Sequence, residues 1–261
     1  MDTPITLYLQ FAKQLASDVV HQMQSSHTAL TIEKKAVGDW FSALDLKLER
    51  DMRERVRTTY PSHGFLGEED GASDQRDWMW VVDPIDGSMN FLRGFPHYSV
   101  SIALLYQGEP WVACVADPVR REFFTAAKGM GAHLNDQPIR ASQVNQLSEA
   151  VVATVFPKPT SAQMTGSMQR LDRVLRGVAG ARRSGSMALD LAYLAAGRVD
   201  AFWAQNMGPW DAAAGVLLVQ EAGAEVFTLD QRHWLASQDI AASTTGLARE
   251  WRAMLCLSHW R

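Results

Sequence analysis

Two cysteines in 261 residues, Cys114 and Cys256, are too few for a disulfide framework. They fit a reducing compartment, as small buried hydrophobes. No apolar run reaches the roughly 18 residues of a membrane-spanning helix. The N-terminus lacks the positive segment followed by an apolar stretch that marks a secretory signal, so a cytoplasmic protein without a membrane partner is expected. An excess of one charge is also missing: 25 Lys and Arg against 29 Asp and Glu leave a net charge of −4. That balance gives no reason to expect nucleic acid as a partner. No His/Cys grouping stands at zinc spacing. Internal repeats, low-complexity tracts and long linkers are absent too.

What is present is a hydrophobic content of 47% with 21% charged residues, enough for a large core. The pattern changes along the chain. Thr3-Pro4 marks a helix start, and Ile5, Tyr8, Leu9, Ala12, Leu15, Ala16, Val19, Val20 and Met23 follow helical spacing. Leu44, Leu48, Met52 and Val56 form a second stripe, stopped by Pro61, with Asp45 near its start. Strands are predicted at 78–82, 98–106, 111–116 and 122–126, the last three as an antiparallel meander punctuated by Gly and Pro. Beyond about residue 145 the elements alternate. Strands are expected at 151–155, 201–204, 225–227 and 240–242, and helices at 168–178, 186–196 and 211–221. The expectation is one domain over 1–261 made of two intimate halves, α+β over about 1–145 and α/β over 146–261.

The most informative stretch is Asp83-Pro84-Ile85-Asp86-Gly87-Ser88, at the end of the apolar run Trp78–Val82. Two carboxylates this close at the mouth of a buried strand are costly unless a cation sits between them. Carboxylate and carbonyl oxygens suit hard divalent cations such as Mg²⁺. Gly87 lets a backbone N–H approach a ligand closely, and Ser88 opens a helix whose free N–H groups favour an anion. The bland alternative is an Asp-Pro turn with a helix cap. Two further segments bear on the choice. Gly67-Glu68-Glu69-Asp70-Gly71 reads as a solvated loop or a ligand source. Asp211, in Trp210-Asp211-Ala212-Ala213-Ala214-Gly215, reads as a helix cap or a third ligand.

Taken together, these three segments resemble the inositol monophosphatase family of Mg²⁺-dependent, lithium-sensitive sugar phosphatases. Lys35, Asp39, Ser42 and Asp45 add a weaker fourth match, and the likeness runs over nearly the whole chain. The resemblance implies a layered α-β-α-β-α fold, a homodimer, and hydrolysis of inositol monophosphate or a similar polyol phosphate by direct attack of a metal-activated water. It implies two or three Mg²⁺ ions held by Glu68, Asp83, Asp86, Asp211 and the Ile85 carbonyl. Glu68 and Ser88 would polarise the attacking water, with Asp45 accepting a hydrogen bond from Ser88. Gly87 and Ser88 would hold phosphate oxygens, and Asp86, Asp211, Gly185, Ser186 and Met187 would border the substrate. Gly185-Ser186 could equally be a plain helix start, Lys35 could guard the site or be merely solvated, and Trp210 could wall the site or pack.

The chain departs from the family pattern in two places. Ser88-Met89 stands where the family has Thr-Thr, which keeps the first hydroxyl. Ala204 stands where many members carry a Glu that binds sugar hydroxyls, with Gln205 beside it. Fructose 1,6-bisphosphate, histidinol phosphate or a 3′-phosphonucleotide are therefore alternative substrates for the same chemistry. A non-catalytic regulatory protein on the same scaffold is the alternative from another class. His97 is assigned no catalytic role.

Overall fold

The alternation in the first half resolves, in the computed structural model, into a sheet buried on both faces. The structure describes residues 4–25, 32–36, 39–72, 76–157 and 161–256, with the backbone alone over 32–36 and 39–41. Thr3, the expected cap, lies outside the described residues.

In chain order the elements are α1 (Ile5–Ser25), β1 (Ile32–Ala36), β2 (Asp39–Ser42), α2 (Ala43–Thr59), β3 (Gly64–Gly67), β4 (Trp78–Asp86) and α3 (Ser88–Leu92). The meander follows as β5 (Ser99–Tyr106), β6 (Glu109–Asp117), β7 (Glu122–Ala127), β8 (Ala132–Leu134) and β9 (Gln137–Ile139). The second half contains β10 (Val151–Thr154), α4 (Met164–Gly177), β11 (Gly180–Arg182), α5 (Met187–Ala195), β12 (Ala201–Ala204), α6 (Pro209–Glu221), β13 (Glu225–Thr228), α7 (Trp234–Ser237), β14 (Ile240–Ser243) and α8 (Ala248–Cys256).

Seven strands form one sheet in the order β3 to β9, antiparallel except for the parallel pair β3–β4. Successive strand side chains point to opposite faces, so a continuous apolar run serves two cores. Trp80 and Val82 of β4, Ile102 and Leu104 of β5, and Val112 and Cys114 of β6 pack under α1 and α2. Val81, Ala103, Ala113 and Val115 face the other way, onto α5 and α6. The opposite side of α5 and α6 packs on Ala153, Phe202 and Ala242 of a five-stranded sheet ordered β11-β10-β12-β14-β13. Its outer face, with Val152, Trp203 and Ala241, is covered by Val174 of α4 and Trp251 and Leu255 of α8. The result is the expected α-β-α-β-α layering, with α5 and α6 as the middle helical layer.

A helix enclosed on all sides must be apolar all round. In α6 every residue from Asp211 to Val219 is buried. Gly215 is obligatory there, since a Cβ would stand 2.4 Å from Leu191 Cδ1 of α5.

Some boundaries differ from those predicted. α4 begins four residues before the expected 168, and α6 begins at Pro209, because Pro fits the first helical turn. The second sheet is mixed: β14 runs antiparallel to both β12 and β13. The short strands β3, β8, β9 and β11 lack enough apolar alternation to be read from sequence and are held by pairing with their neighbours.

Candidate active site

Strand β4 ends with its carboxylates inside the protein. Asp83 and Asp86 are 2% and 3% exposed, and Asp211, in the first turn of α6, is 7% exposed. Oxygens of these three carboxylates lie within 4.8 Å of one another. Asp211 stands 128 residues from Asp83 and 125 from Asp86 in the chain, and they meet because the end of β4 lies at the start of α6. Glu68 lies outside this tight group but lines the same cleft, together with Ile85, Gly87, Ser88, Gly185, Met187 and Trp210. The cleft encloses about 710 Å³.

The two aspartates of the β4 turn are held differently. Asp86 accepts from the Ser186 hydroxyl at 2.5 Å, the Ala188 N–H at 2.9 Å, the Met187 N–H at 3.0 Å and the Ser99 hydroxyl at 3.1 Å. Asp83 accepts from the Ile85 N–H at 2.9 Å. Burial raises the pKa of both. For Asp86, the four donors pull it back down. For Asp83, burial is reinforced by the negative charges of Glu68, Asp86, Asp211 and Asp45, and the value stands well above 3.8. A divalent cation would relieve that repulsion. The donors are oxygens alone, the set that suits Mg²⁺ or Ca²⁺ and not zinc. The acidic group therefore fits a hard metal ion.

Ser88 opens the five-residue helix α3, and its hydroxyl lies 2.9 Å from both Asp45 Oδ1 and the Ile85 carbonyl. Asp45 has a second task. It closes the capping box of α2, with Oδ2 accepting the Ser42 N–H at 2.9 Å and the Ser42 hydroxyl at 2.5 Å. Burial raises its pKa, and the Ser42 and Ser88 donors oppose the rise. Gly87 sits at φ 94°, a left-handed conformation that favours glycine, with the Gly185 carbonyl 3.0 Å from where a Cβ would be.

The other residues named from sequence fall as follows. Asp211 is both cap and cluster member: its carboxylate accepts the Gly208 N–H at 2.8 Å. Ser186 is fully buried, its hydroxyl turned to Asp86, while Gly185 and Met187 face the cleft. Trp210 lines the cleft and also packs on the middle core. Ala204 lies in that core and not on the cleft wall, which Gln205 forms. His97 is buried, its ring edge-on to Tyr193. The side chains of Lys35 and Asp39 lie outside the described residues.

Sequence reasoning missed Glu49. Its carboxylate is fully buried and accepts the N–H groups of Glu69 at 2.7 Å and Asp70 at 3.0 Å, with Arg53 at 3.0 Å. A Cβ on Gly67 would stand 2.2 Å from it. Glu49 thus clamps the loop that carries Glu68. The available signal was its place four residues after Asp45 on one helix face. Ser99, the partner of Asp86 across the β4–β5 pair, was missed as well.

A layered α/β fold with three buried aspartates converging at one cleft defines a class of proteins equipped to hold a hard metal ion. A profile described as the inositol monophosphatase family matches residues 5–260, and the chain belongs to that family. It is 41% identical over 211 residues to an inositol-1-monophosphatase of Caulobacter vibrioides, covering 78% of this chain and 81% of that one. It is 39% identical over 241 residues to Nus factor SuhB of Pseudomonas aeruginosa, covering 90% and 89%. The solved inositol monophosphatase of Anabaena (Nostoc) sp. PCC 7120 superposes with a TM-score of 0.86 at 32% identity, covering 99% of this chain and 100% of that one.

Proposed function

We propose that this protein is a Mg²⁺-dependent phosphomonoesterase that releases inorganic phosphate from a small alcohol. The observation that carries the reading is the convergence of Asp83, Asp86 and Asp211, buried and within 4.8 Å, beside a serine hydroxyl paired with Asp45. Glu68, Asp83, Asp86, Asp211 and the Ile85 carbonyl would hold the metal. When bound, Mg²⁺ supplies positive charge against the phosphoryl group and the leaving oxygen, and lowers the pKa of water.

The chain's own groups do the rest. The backbone N–H groups of Gly87 and Ser88, at the open end of α3, hold phosphate oxygens. The Ser88 hydroxyl has one proton, and Asp45 or the Ile85 carbonyl accepts it. A lone pair of the hydroxyl oxygen accepts a hydrogen bond from the attacking water and aims that water at phosphorus. Glu68, at the cleft wall, takes the proton as the P–O bond forms. No covalent phosphoenzyme is needed, since water attacks directly.

Inositol 1-phosphate is the first ester to test, then fructose 1,6-bisphosphate, histidinol phosphate and a 3′-phosphonucleotide. Phosphate release should depend on Mg²⁺ and fall with added Li⁺. No release from any ester with Mg²⁺ present would overturn the reading.

The name Nus factor, carried by relatives such as the P. aeruginosa protein, favours a second reading: a regulatory role exercised by binding RNA polymerase. Binding of purified polymerase by both the wild type and a hydrolytically dead Asp83→Asn variant would support it. A homodimer in the cytoplasm accompanies either reading, testable by light scattering and cell fractionation.

A further inference from the structure

Around the phosphate-binding floor the cleft changes character. Met89, Phe156, Met164 and Met187 contribute apolar surface to it. The polar side chains nearby are mostly committed within the protein. Gln205 Oε1 accepts from the Ser167 hydroxyl at 2.7 Å and Arg170 Nη1 at 2.8 Å, and its amide nitrogen points to Asp239 at 3.4 Å. Asn90 Nδ2 donates to the His97 carbonyl at 2.6 Å and the Ser184 carbonyl at 2.9 Å. Asn206 Nδ2 donates to Gln163 at 2.9 Å. Ala204, buried in the core, offers no carboxylate to a hydroxyl. A ring covered in hydroxyls would lose water there without gaining partners, and unpaired polar groups are costly.

One charged group on this wall is uncommitted. Arg183 is exposed, lines the cleft and makes no ion pair among the described residues. Its guanidinium lies 5.9 Å from the Phe156 ring centroid, so an apolar face and a cation stand side by side. The buried Asp190 feels its charge without pairing with it.

We infer that the preferred substrate is a phosphate monoester whose alcohol portion carries an apolar face, seated on Phe156 and the methionines, and a second anionic group, met by Arg183. This rests on the phosphatase reading above and narrows its substrate. Arg183 and Phe156 are then specificity-determining residues, with no part in the attack on phosphorus.

The test compares benzyl phosphate, 4-carboxybenzyl phosphate and inositol 1-phosphate as Mg²⁺-dependent substrates of the full chain. The carboxylate should raise kcat/KM over benzyl phosphate by about fivefold, as expected for an exposed charge pair. Arg183→Gln should bring that ratio to near one, and Arg183→Lys should keep most of it. Because the readout is a ratio within one variant, loss of folded protein cancels. Phe156→Ala should lower kcat/KM for both benzyl esters by roughly fivefold relative to inositol 1-phosphate. Inositol 1-phosphate as the best of the three, or a carboxylate preference untouched in Arg183→Gln, would overturn the inference and leave the phosphatase reading standing. Silence with all three while fructose 1,6-bisphosphate, histidinol phosphate or a 3′-phosphonucleotide is hydrolysed would overturn the inference alone; silence with every ester would remove the phosphatase reading and the inference together.

Discussion

The floor of the cleft and its alcohol wall are built on different principles. The floor is crowded, buried and electrostatically unfavourable in the protein alone: Asp83 and Asp86 sit within reach of Asp211, and α2 and α5 supply the groups that hold them and their loops. The wall is open and assembled from apolar ends and one exposed cation. The floor must keep charges in place against their mutual repulsion, so Asp83, Asp86 and Asp211 each have a backbone or hydroxyl tether. The wall has only to fit a shape. Changes in the floor should therefore affect every ester alike, and changes in the wall should alter the choice among them.

The largest expected effect is that of Asp83→Asn, which should lower phosphate release from all esters by more than about 10³-fold. An unchanged circular dichroism spectrum would confirm that chemistry was lost, not fold. Activity near wild type would refute the metal assignment. Ser88→Ala removes the hydroxyl between Asp45 and the cleft and should cost about 10²-fold in kcat, with little change in KM. A change confined to KM would assign Ser88 to binding instead.

Glu49→Gln probes the tether and not the ligand. Loss of an acceptor for the Glu69 and Asp70 N–H groups should raise the Mg²⁺ concentration for half-activation about tenfold, as for other groups that orient metal ligands. Mn²⁺ binding followed by electron paramagnetic resonance should weaken in parallel. An unchanged metal response would confine Glu49 to stability.

The smallest effect concerns the floor without substrate. Burial, and for Asp83 the neighbouring negative charges, raise the folded pKa values of Asp83, Asp86 and Asp45. For an acid with a raised folded pKa, the stabilising contribution is fully present below the unfolded value, about 3.9, and is lost as pH rises through the folded value. Metal-free protein should therefore carry a destabilised floor at neutral pH. Saturating Mg²⁺ should raise Tm by roughly 5–10 °C at pH 8, and by less at pH 5, where protons compete. Equal shifts at both pH values would argue against binding at these carboxylates.

Much of this was legible because it is local. The turn from Asp83 to Ser88 packs two carboxylates, a left-handed glycine and a helix-opening hydroxyl into six residues, and Asp211 stands three residues into a helix marked by Pro209. Other features were hidden because their partners are distant in the chain. Glu49 looks like any charged residue of an amphipathic helix until Gly67 and Glu69 fold over it. Ser186 reads as a cap, yet its hydroxyl turns to Asp86, 100 residues away. Ala204 looks like a missing ligand, but its side chain belongs to the core, and the cleft wall there is Gln205, already bound by Ser167 and Arg170.

The periodicities that build the layers, the oxygen-rich donor set and the family can all be read from the chain, because each depends on residues close together in it. Which carboxylates converge, which hydroxyls are spent on holding them, and which groups remain for a substrate emerge from the fold. Those outcomes depend on pairing between the two halves: burial removes the competing water, and each polar group must then find a partner wherever the fold brings one.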